Sequence, residues 1–192
     1  MDRLLNPVGR GLAARGVKAN HVTIIGALFG LAAALCVAFQ LFDIAFWLIS
    51  LNRVADGLDG AVARASMATD FGGYLDIVCD FVFYSSIPVA FAAAQPENAL
   101  ASSFLIFSFI GTASSFLAFA ILAEKHNIST EIRGKKAFYY LGGLTEGAET
   151  ILLLLAMVTW PSYFIFMAFG FGLLCWVTTT TRIYAAYSQF SG

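Results

Sequence analysis

Six stretches of the chain are apolar over about the length needed to cross a bilayer, and this pattern restricts the fold more than anything else in the sequence. A helix needs about 20 predominantly apolar residues to span roughly 30 Å of hydrocarbon. The stretches are Val22–Gln40, Leu41–Arg64, Phe71–Ala94, Ala101–Ala123, Phe138–Val158 and Pro161–Tyr184. Turn or charge signals separate them: Phe42-Asp43, Thr69-Asp70, Gln95-Pro96-Glu97-Asn98, Glu124 to Lys136, and Trp160-Pro161-Ser162. The runs do not alternate and are twice too long for membrane strands, so a β-barrel is excluded. The expected fold is all-α: a polytopic membrane protein with six transmembrane helices in one bundle. The connections are short, so consecutive helices are expected to be antiparallel neighbours.

Composition agrees. Of 192 residues, 59% are hydrophobic and 12% charged, about half the charged share of a soluble domain. Net charge is −1, and no basic run is long enough to track phosphates, so a nucleic-acid partner is not expected. The lipid bilayer is the expected partner.

Basic residues set the orientation. With the N-terminus in the cytoplasm, the inner ends hold Arg3, Arg10, Arg15, Lys18, Arg64, Lys125, Arg133, Lys135, Lys136 and Arg182, and the outer turns hold none. The positive-inside rule then predicts both termini cytoplasmic. Residues 1–21 read as a basic juxtamembrane or interfacial segment, and 22–192 as the membrane domain. Leu4, Leu5, Val8 and Leu12 fall on one side of that segment, whereas Pro7, Gly9 and Gly11 argue against a long helix. A basic flank that only fixes topology reads equally well. Cys36, Cys79 and Cys175 sit in apolar spans without paired spacing and read as small hydrophobes.

The acidic residues point to chemistry. Asp56 and Asp59 lie in the second span, Asp76 and Asp80 in the third. A charge near mid-membrane costs about 2.5–3.5 kcal/mol on the insertion scale, so four require compensation. Helical spacing puts Asn52, Asp56, Asp59, Gly60 and Ala63 in one sector, and Gly72, Asp76, Asp80 and Phe83 in another. Asp70 reads as the N-cap of the third helix. Two facing carboxylate pairs suit hard divalent cations, Mg²⁺ or Mn²⁺, with bridging phosphates. Zinc is disfavoured, because no soft ligand is near and His21 and His126 lie outside the spans. Gly60 and Ala63 leave the same face bare beside the acids, and Arg64 follows at the mouth, placed to pair a phosphate or to anchor the helix end.

These residues, Asp56-x2-Asp59-Gly60-x2-Ala63-Arg64 then Gly72-x3-Asp76-x3-Asp80, resemble the signature of the CDP-alcohol phosphotransferases, membrane enzymes of phospholipid synthesis. Eight positions over 25 residues carry the resemblance, supported by six helices and by Asn20-x2-Thr23 opening the first. The chain is most similar to the short bacterial inner-membrane members. The link between Arg64 and Gly72 holds seven residues, one fewer than the commonly written pattern, and Gly72 rather than Gly73 keeps the Gly-x3-Asp step. The resemblance implies that Asp56, Asp59, Asp76 and Asp80 ligate two Mg²⁺ or Mn²⁺ ions. It implies a CDP site lined by Asp56, Asp59, Gly60, Ala63, Arg64, Thr69, Gly72 and Asp76, with catalysis by Asp76 and by Asp80 as general base. The implied donor is CDP-diacylglycerol and the acceptor a small alcohol, glycerol 3-phosphate being the first choice. A homodimer is also implied.

Other polar residues leave alternatives open. Glu146 and Glu149 share a face with Gly142 and Leu153, and either shape an acceptor pocket or join a polar network with Arg53 or Arg182. Arg53 reads as a charge-balancing partner of the acids. Gly26-x3-Gly30 and Gly143-x3-Gly147 allow close helix packing, and Trp47, Trp160 and Tyr163 suit an outer interface. The alternative function is a divalent-cation or proton transporter. It accounts for the carboxylates but not for Gly60, Ala63 and Arg64 at fixed offsets from them.

Overall fold

A computed structural model describes residues 2–126 and 145–191, side chains of 2–4 excepted. Seven α-helices occur among them: α1 (Asp2–Ala14), α2 (Ala19–Ala38), α3 (Phe42–Ala65), α4 (Asp70–Ala94), α5 (Ala99–Lys125), α6 (Gly147–Thr159) and α7 (Phe164–Phe190). Short 3-10 turns at Pro96–Asn98 and Pro161–Tyr163 lead into α5 and α7, and no strand occurs among the described residues. Four segments are long and apolar enough to cross a membrane: Ala19–Ala38, Asp70–Ala94, Pro96–Lys125 and Pro161–Phe190. Helix α3 is as long but carries Asp43, Arg53, Asp56, Asp59 and Arg64. Of the expected fifth span, residues 138–144 lie outside the described residues, as do Arg133, Lys135, Lys136, Gly142 and Gly143; α6 is its remainder.

The first segment departs from expectation. Pro7, Gly9 and Gly11 do not prevent a 13-residue helix, because α1 packs along α3. A Cβ on Gly9 would lie 2.7 Å from the Ala61 backbone, and one on Gly57 would lie 2.7 Å from Leu5 Cδ1. Gly9 lets the helices approach where any side chain would meet the Ala61 backbone, whereas a side chain at position 57 would have to displace only the tip of Leu5.

Neighbour relations depart too. Helices α3 and α4 are consecutive but barely touch backbone to backbone; each packs instead on α2. Gly26 and Gly30 make this possible, since their Cβ atoms would stand 3.0 Å from Ala55 Cβ and 2.6 Å from Phe83 Cδ2. Helix α2 is therefore a shared wedge, and α3 and α4 splay to either side of it. Further contacts join α3 to α6, α4 to α5, and α5 to α7.

The core lies away from the acids. Ile49, Phe83, Ile87, Phe91, Leu105, Leu154, Met157 and Phe164 are almost fully buried in it, and the Phe91 and Phe164 rings stack with centroids 4.2 Å apart. The outside is apolar as well: Leu28, Leu35, Phe107, Ile121, Leu152, Phe166 and Leu173 are all exposed. A soluble monomer exposes apolar patches of only a few hundred Å². Trp47, Trp160 and Tyr163 are exposed near the α3 start and the α6 end.

Candidate active site

Helix ends define the site before any side chain does. Helix α4 begins at Thr69, whose hydroxyl accepts from Gly72 N–H at 3.1 Å. Thr69 is thus the N-cap and Asp70 the first helical residue, one position from the expectation. A threonine oxygen reaches the free N–H groups of the first turn as an aspartate would, so both residue types signal a start. A Cβ on Gly72 would lie 3.0 Å from Asn20 Oδ1, which ties the α2 start to this turn.

Between α2, α3 and the α3–α4 link lies a cavity of about 600 Å³. Asp59, Gly60, Ala63, Thr69, Gly72 and Asp76 line it, together with Asn20 and Thr23 of α2 and Lys18 before it. Gly73 lines it too. A crevice of about 10 Å³ adjoins, sharing Thr23, Asp59 and Asp76 with the cavity and adding Asn52, Asp56, Cys79 and Asp80. All four aspartates therefore face one connected space, split between a roomy chamber and a tight recess.

Two expected lining residues stand elsewhere. Asp56 belongs to the recess only. Arg64 lines neither space; it donates to Asn6 Oδ1 of α1 at 3.2 Å, and its Nη1 covers Gly60. The arginine follows Ala63 by one residue, about 100° round the helix, which turns it toward α1.

Each acid has distinct support. Asp59 is 6% exposed and accepts a 2.6 Å hydrogen bond from Thr23 Oγ1 through Oδ2. Asp56 forms an ion pair with Arg53, one turn earlier on α3. Asp80 Oδ2 accepts from Tyr84 Oη at 2.9 Å, and Arg53 Nη1 donates to the same hydroxyl at 3.1 Å. Asp76 lies within electrostatic reach of Asp59 and Asp80. Asn52, 5% exposed, donates to the Gly26 carbonyl at 2.9 Å, while its Oδ1 has no hydrogen-bond partner.

As the side chains stand, no three carboxylates, imidazoles or thiols among the described residues converge closely enough to enclose a metal ion. Arg53 pairs with Asp56 and stands 3.6 Å from Asp80 Oδ1. The donor set nevertheless suits a hard cation. Four carboxylates line one space, a buried amide oxygen beside them lacks a donor, and the ion pairs to the acids among the described residues come from Arg53 alone. Cys79 also lines the recess, so a thiol stands nearer the acids than the sequence suggests.

The sequence profile of the CDP-alcohol phosphatidyltransferase family matches residues 17–184. The chain belongs to this family. It is accordingly a phosphotransferase of phospholipid biosynthesis, bound to the membrane, and members of the family generally depend on divalent cations. It is similar to the inner membrane protein YnjF of Escherichia coli, 49% identical over 185 residues, which are 96% of this chain and 90% of the relative. An archaetidylinositol phosphate synthase of Pyrococcus horikoshii is 37% identical over 84 residues, 43% of this chain and 45% of that one. The solved phosphatidylinositol phosphate synthase of Mycobacterium tuberculosis, with CDP-DAG bound, superposes with a TM-score of 0.69. It covers 96% of this chain and 94% of that one at 20% identity, a likeness of fold.

Within this phosphatidyltransferase the sequence leaves one residue unseen and misplaces others. Phe83, expected beside the acids, is 1% exposed in the core, and Tyr84 is the aromatic that reaches Asp80. Positions i+3 and i+4 from Asp80 straddle its face, and the hydroxyl takes the polar side. Glu146 and Glu149 are exposed and form a reciprocal cap on α6: the Glu146 side chain accepts from the Glu149 N–H, and Glu149 Oε2 accepts from the Glu146 N–H at 3.1 Å. Arg182, 7% exposed, donates to the Thr112 carbonyl at 3.1 Å and lies over the Phe116 ring, joining α7 to α5.

Proposed function

We propose that the enzyme transfers a phosphatidyl group from CDP-diacylglycerol to the hydroxyl of a small alcohol, releasing CMP. The observation that carries this reading is the division of the site. Bare motif positions Gly60, Ala63 and Gly72 border a chamber of about 600 Å³, room for a nucleotide, while the carboxylates gather at its deep end. A CDP-linked lipid was bound in the fold relative from M. tuberculosis, which supports the same donor here. The archaeal relative's name supports a phosphorylated polyol as one acceptor class, alongside glycerol 3-phosphate, the first choice on sequence grounds.

Asp56, Asp59, Asp76 and Asp80 would hold two divalent cations, Mg²⁺ or Mn²⁺, with Thr23 fixing Asp59 and Arg53 yielding Asp56. Bound there, the cations supply neutralisation of the pyrophosphate oxygens and of the charge that grows on the leaving CMP. Gly60, Ala63 and Gly72 admit the cytidine diphosphate against bare backbone, with Asp59, Thr69 and Asp76 around it and Arg64 at the rim. Asp80 takes the proton of the acceptor hydroxyl as general base. The acceptor oxygen then bonds to the phosphorus that carries diacylglycerol. The bond from that phosphorus to the oxygen of CMP breaks, and its electron pair leaves with CMP.

In this reading six helices span the membrane: α2, α3, α4, α5, a fifth span over 138–158 that includes α6, and α7. Residues 1–21 lie at the interface ahead of a single membrane domain, 22–192. Both termini and the site face the cytoplasm of a bacterial inner membrane. A homodimer accords with the family resemblance.

The test supplies purified protein with CDP-diacylglycerol, Mn²⁺ and a panel of alcohols: glycerol 3-phosphate, inositol phosphate, serine and choline. CMP release with one of them, lost in Asp76→Asn, is the expected result. No CMP with any acceptor overturns the reading.

A further inference from the structure

Asp80 does not stand alone. Arg53 Nη1 donates to Tyr84 Oη at 3.1 Å, and Tyr84 Oη donates to Asp80 Oδ2 at 2.9 Å. The hydroxyl's single proton is thereby committed to Asp80 and one of its lone pairs to Arg53. The guanidinium pairs with Asp56 at the same time. One directional chain thus runs from Arg53 on α3 through Tyr84 on α4 to the Asp80 carboxylate.

The ring that carries the hydroxyl is fixed. Tyr84 is 8% exposed, its ring centroid lies 5.7 Å from that of Phe83 and 6.4 Å from that of Phe81, and a Cβ on Gly147 of α6 would meet its hydroxyl at 3.4 Å. A tyrosine packed for its ring alone would need no partner inside the acid cluster. Here both partners of the hydroxyl belong to it. Asp80 Oδ1, by contrast, is 3.6 Å from Arg53 Nη2, beyond hydrogen-bond distance. One oxygen of the carboxylate is hydrogen-bonded; the other, ion-paired with Arg53 but without a hydrogen bond, keeps its lone pairs for the acceptor.

We infer that Tyr84 and Arg53 are positioning residues that aim Asp80 Oδ1 at the acceptor hydroxyl. The inference rests on the proposed role of Asp80 as the group that takes that proton. Neither residue falls within the eight-position motif. A base held on one oxygen presents the other in a constant direction, which matters because proton removal requires hydrogen-bond geometry in the transition state. The chamber proposed for the donor's nucleotide is lined by Asp59, Gly60 and Gly72 and not by Tyr84, so donor binding is not expected to depend on the hydroxyl.

Tyr84→Phe removes the hydroxyl and keeps the ring. CMP release from CDP-diacylglycerol is followed with glycerol 3-phosphate or the panel alcohol that reacts fastest, and Mn²⁺ binding is read separately by electron paramagnetic resonance. The expected result is a kcat lower by about 10- to 100-fold. KM for CDP-diacylglycerol should stay within about twofold of wild type, and Mn²⁺ affinity should fall by much less than kcat, since Asp80 is only one of the four proposed ligands. Arg53→Lys, which keeps the positive charge as well as a donor, should retain several-fold more kcat than Arg53→Gln, which keeps a donor alone; that pair carries the test if Tyr84→Phe does not fold, and equal kcat in the two overturns the inference. An unchanged kcat in Tyr84→Phe beside an active wild type overturns the inference and leaves the function standing. A fall in Mn²⁺ affinity parallel to kcat also overturns it, because the hydroxyl would then support the metal ligands. A wild type that releases no CMP overturns the function reading and this inference with it.

Discussion

At the scale of single residues, the site depends on buried hydrogen bonds that lie outside the eight-position motif. Thr23 lies on a different helix from the acid it serves and places its hydroxyl 2.6 Å from Asp59 Oδ2. Removing a donor from a buried carboxylate costs about 1–3 kcal/mol. Thr23→Val should therefore lower stability by about that amount and cut CMP release more than tenfold, while Thr23→Ser keeps both near wild type; thermal unfolding and the CMP assay read the two effects. Glycine 60 and Ala63 act by what they lack: Ala63→Leu fills the chamber and should raise KM for CDP-diacylglycerol at least tenfold with no loss of folding. The four aspartates, Gly60, Ala63 and Gly72 were legible in the sequence because periodicity alone assigns them to a face. Tyr84 was not, since a tyrosine one helical turn past an aspartate reads as packing until a partner on α3 is seen to meet it. Arg64 was misplaced for the converse reason: spacing gives a direction round the helix but not which neighbour waits there.

Among the elements, the informative one is α2. Its sequence reads as an ordinary apolar span, yet it separates the two helices that carry the acids and so creates the space between them. The splay could not be read from chain order, because a short link between α3 and α4 fits close packing and wedged packing equally well. What distinguishes them is the pair Gly26 and Gly30, which invites α2 into contact with Ala55 and Phe83. Helix α1 makes the same point. Local propensity argued against it, and its burial of Gly9 on Ala61 and of Leu5 on Gly57 overrides propensity. A valine at position 9 would meet the Ala61 backbone, which has no rotamer to yield, and overpacking costs about 1–3 kcal/mol. Gly9→Val should detach α1 while the rest of the chain stays folded. Tryptic cleavage after Arg10 and Arg15 should then accelerate, and KM for CDP-diacylglycerol should rise, because Ala13 and Gly16 at the α1 end line the chamber. Cleavage at the wild-type rate would show that α1 is held by something other than this contact.

For the whole molecule the question is which way the site opens, and the charge distribution makes a prediction that labelling can test. The chamber lies at the α1–α2 and α3–α4 junctions, where Lys18 lines it and Arg64 stands at the end of α3. The α4–α5 junction carries Glu97 and no basic residue. Basic residues are retained on the cytoplasmic side of a bilayer, so Ser66, beside the chamber, is expected inside and Glu97 outside. Both positions are exposed, and α4 between them has 25 residues, about 37 Å of helix, enough to separate them by a full membrane. With Cys36, Cys79 and Cys175 replaced by alanine, a single cysteine at position 97 should react with a membrane-impermeant maleimide in intact cells. A single cysteine at position 66 should react only after the membrane is opened. The reverse pattern would put the chamber on the exterior, away from the cytoplasmic nucleotide pool on which a CDP-linked donor depends. Labelling of both in intact cells would mean that α4 does not cross the bilayer. The outcome thus bears on the catalytic proposal as much as on topology, since a phosphatidyltransferase must meet its activated lipid on the side where that lipid is made.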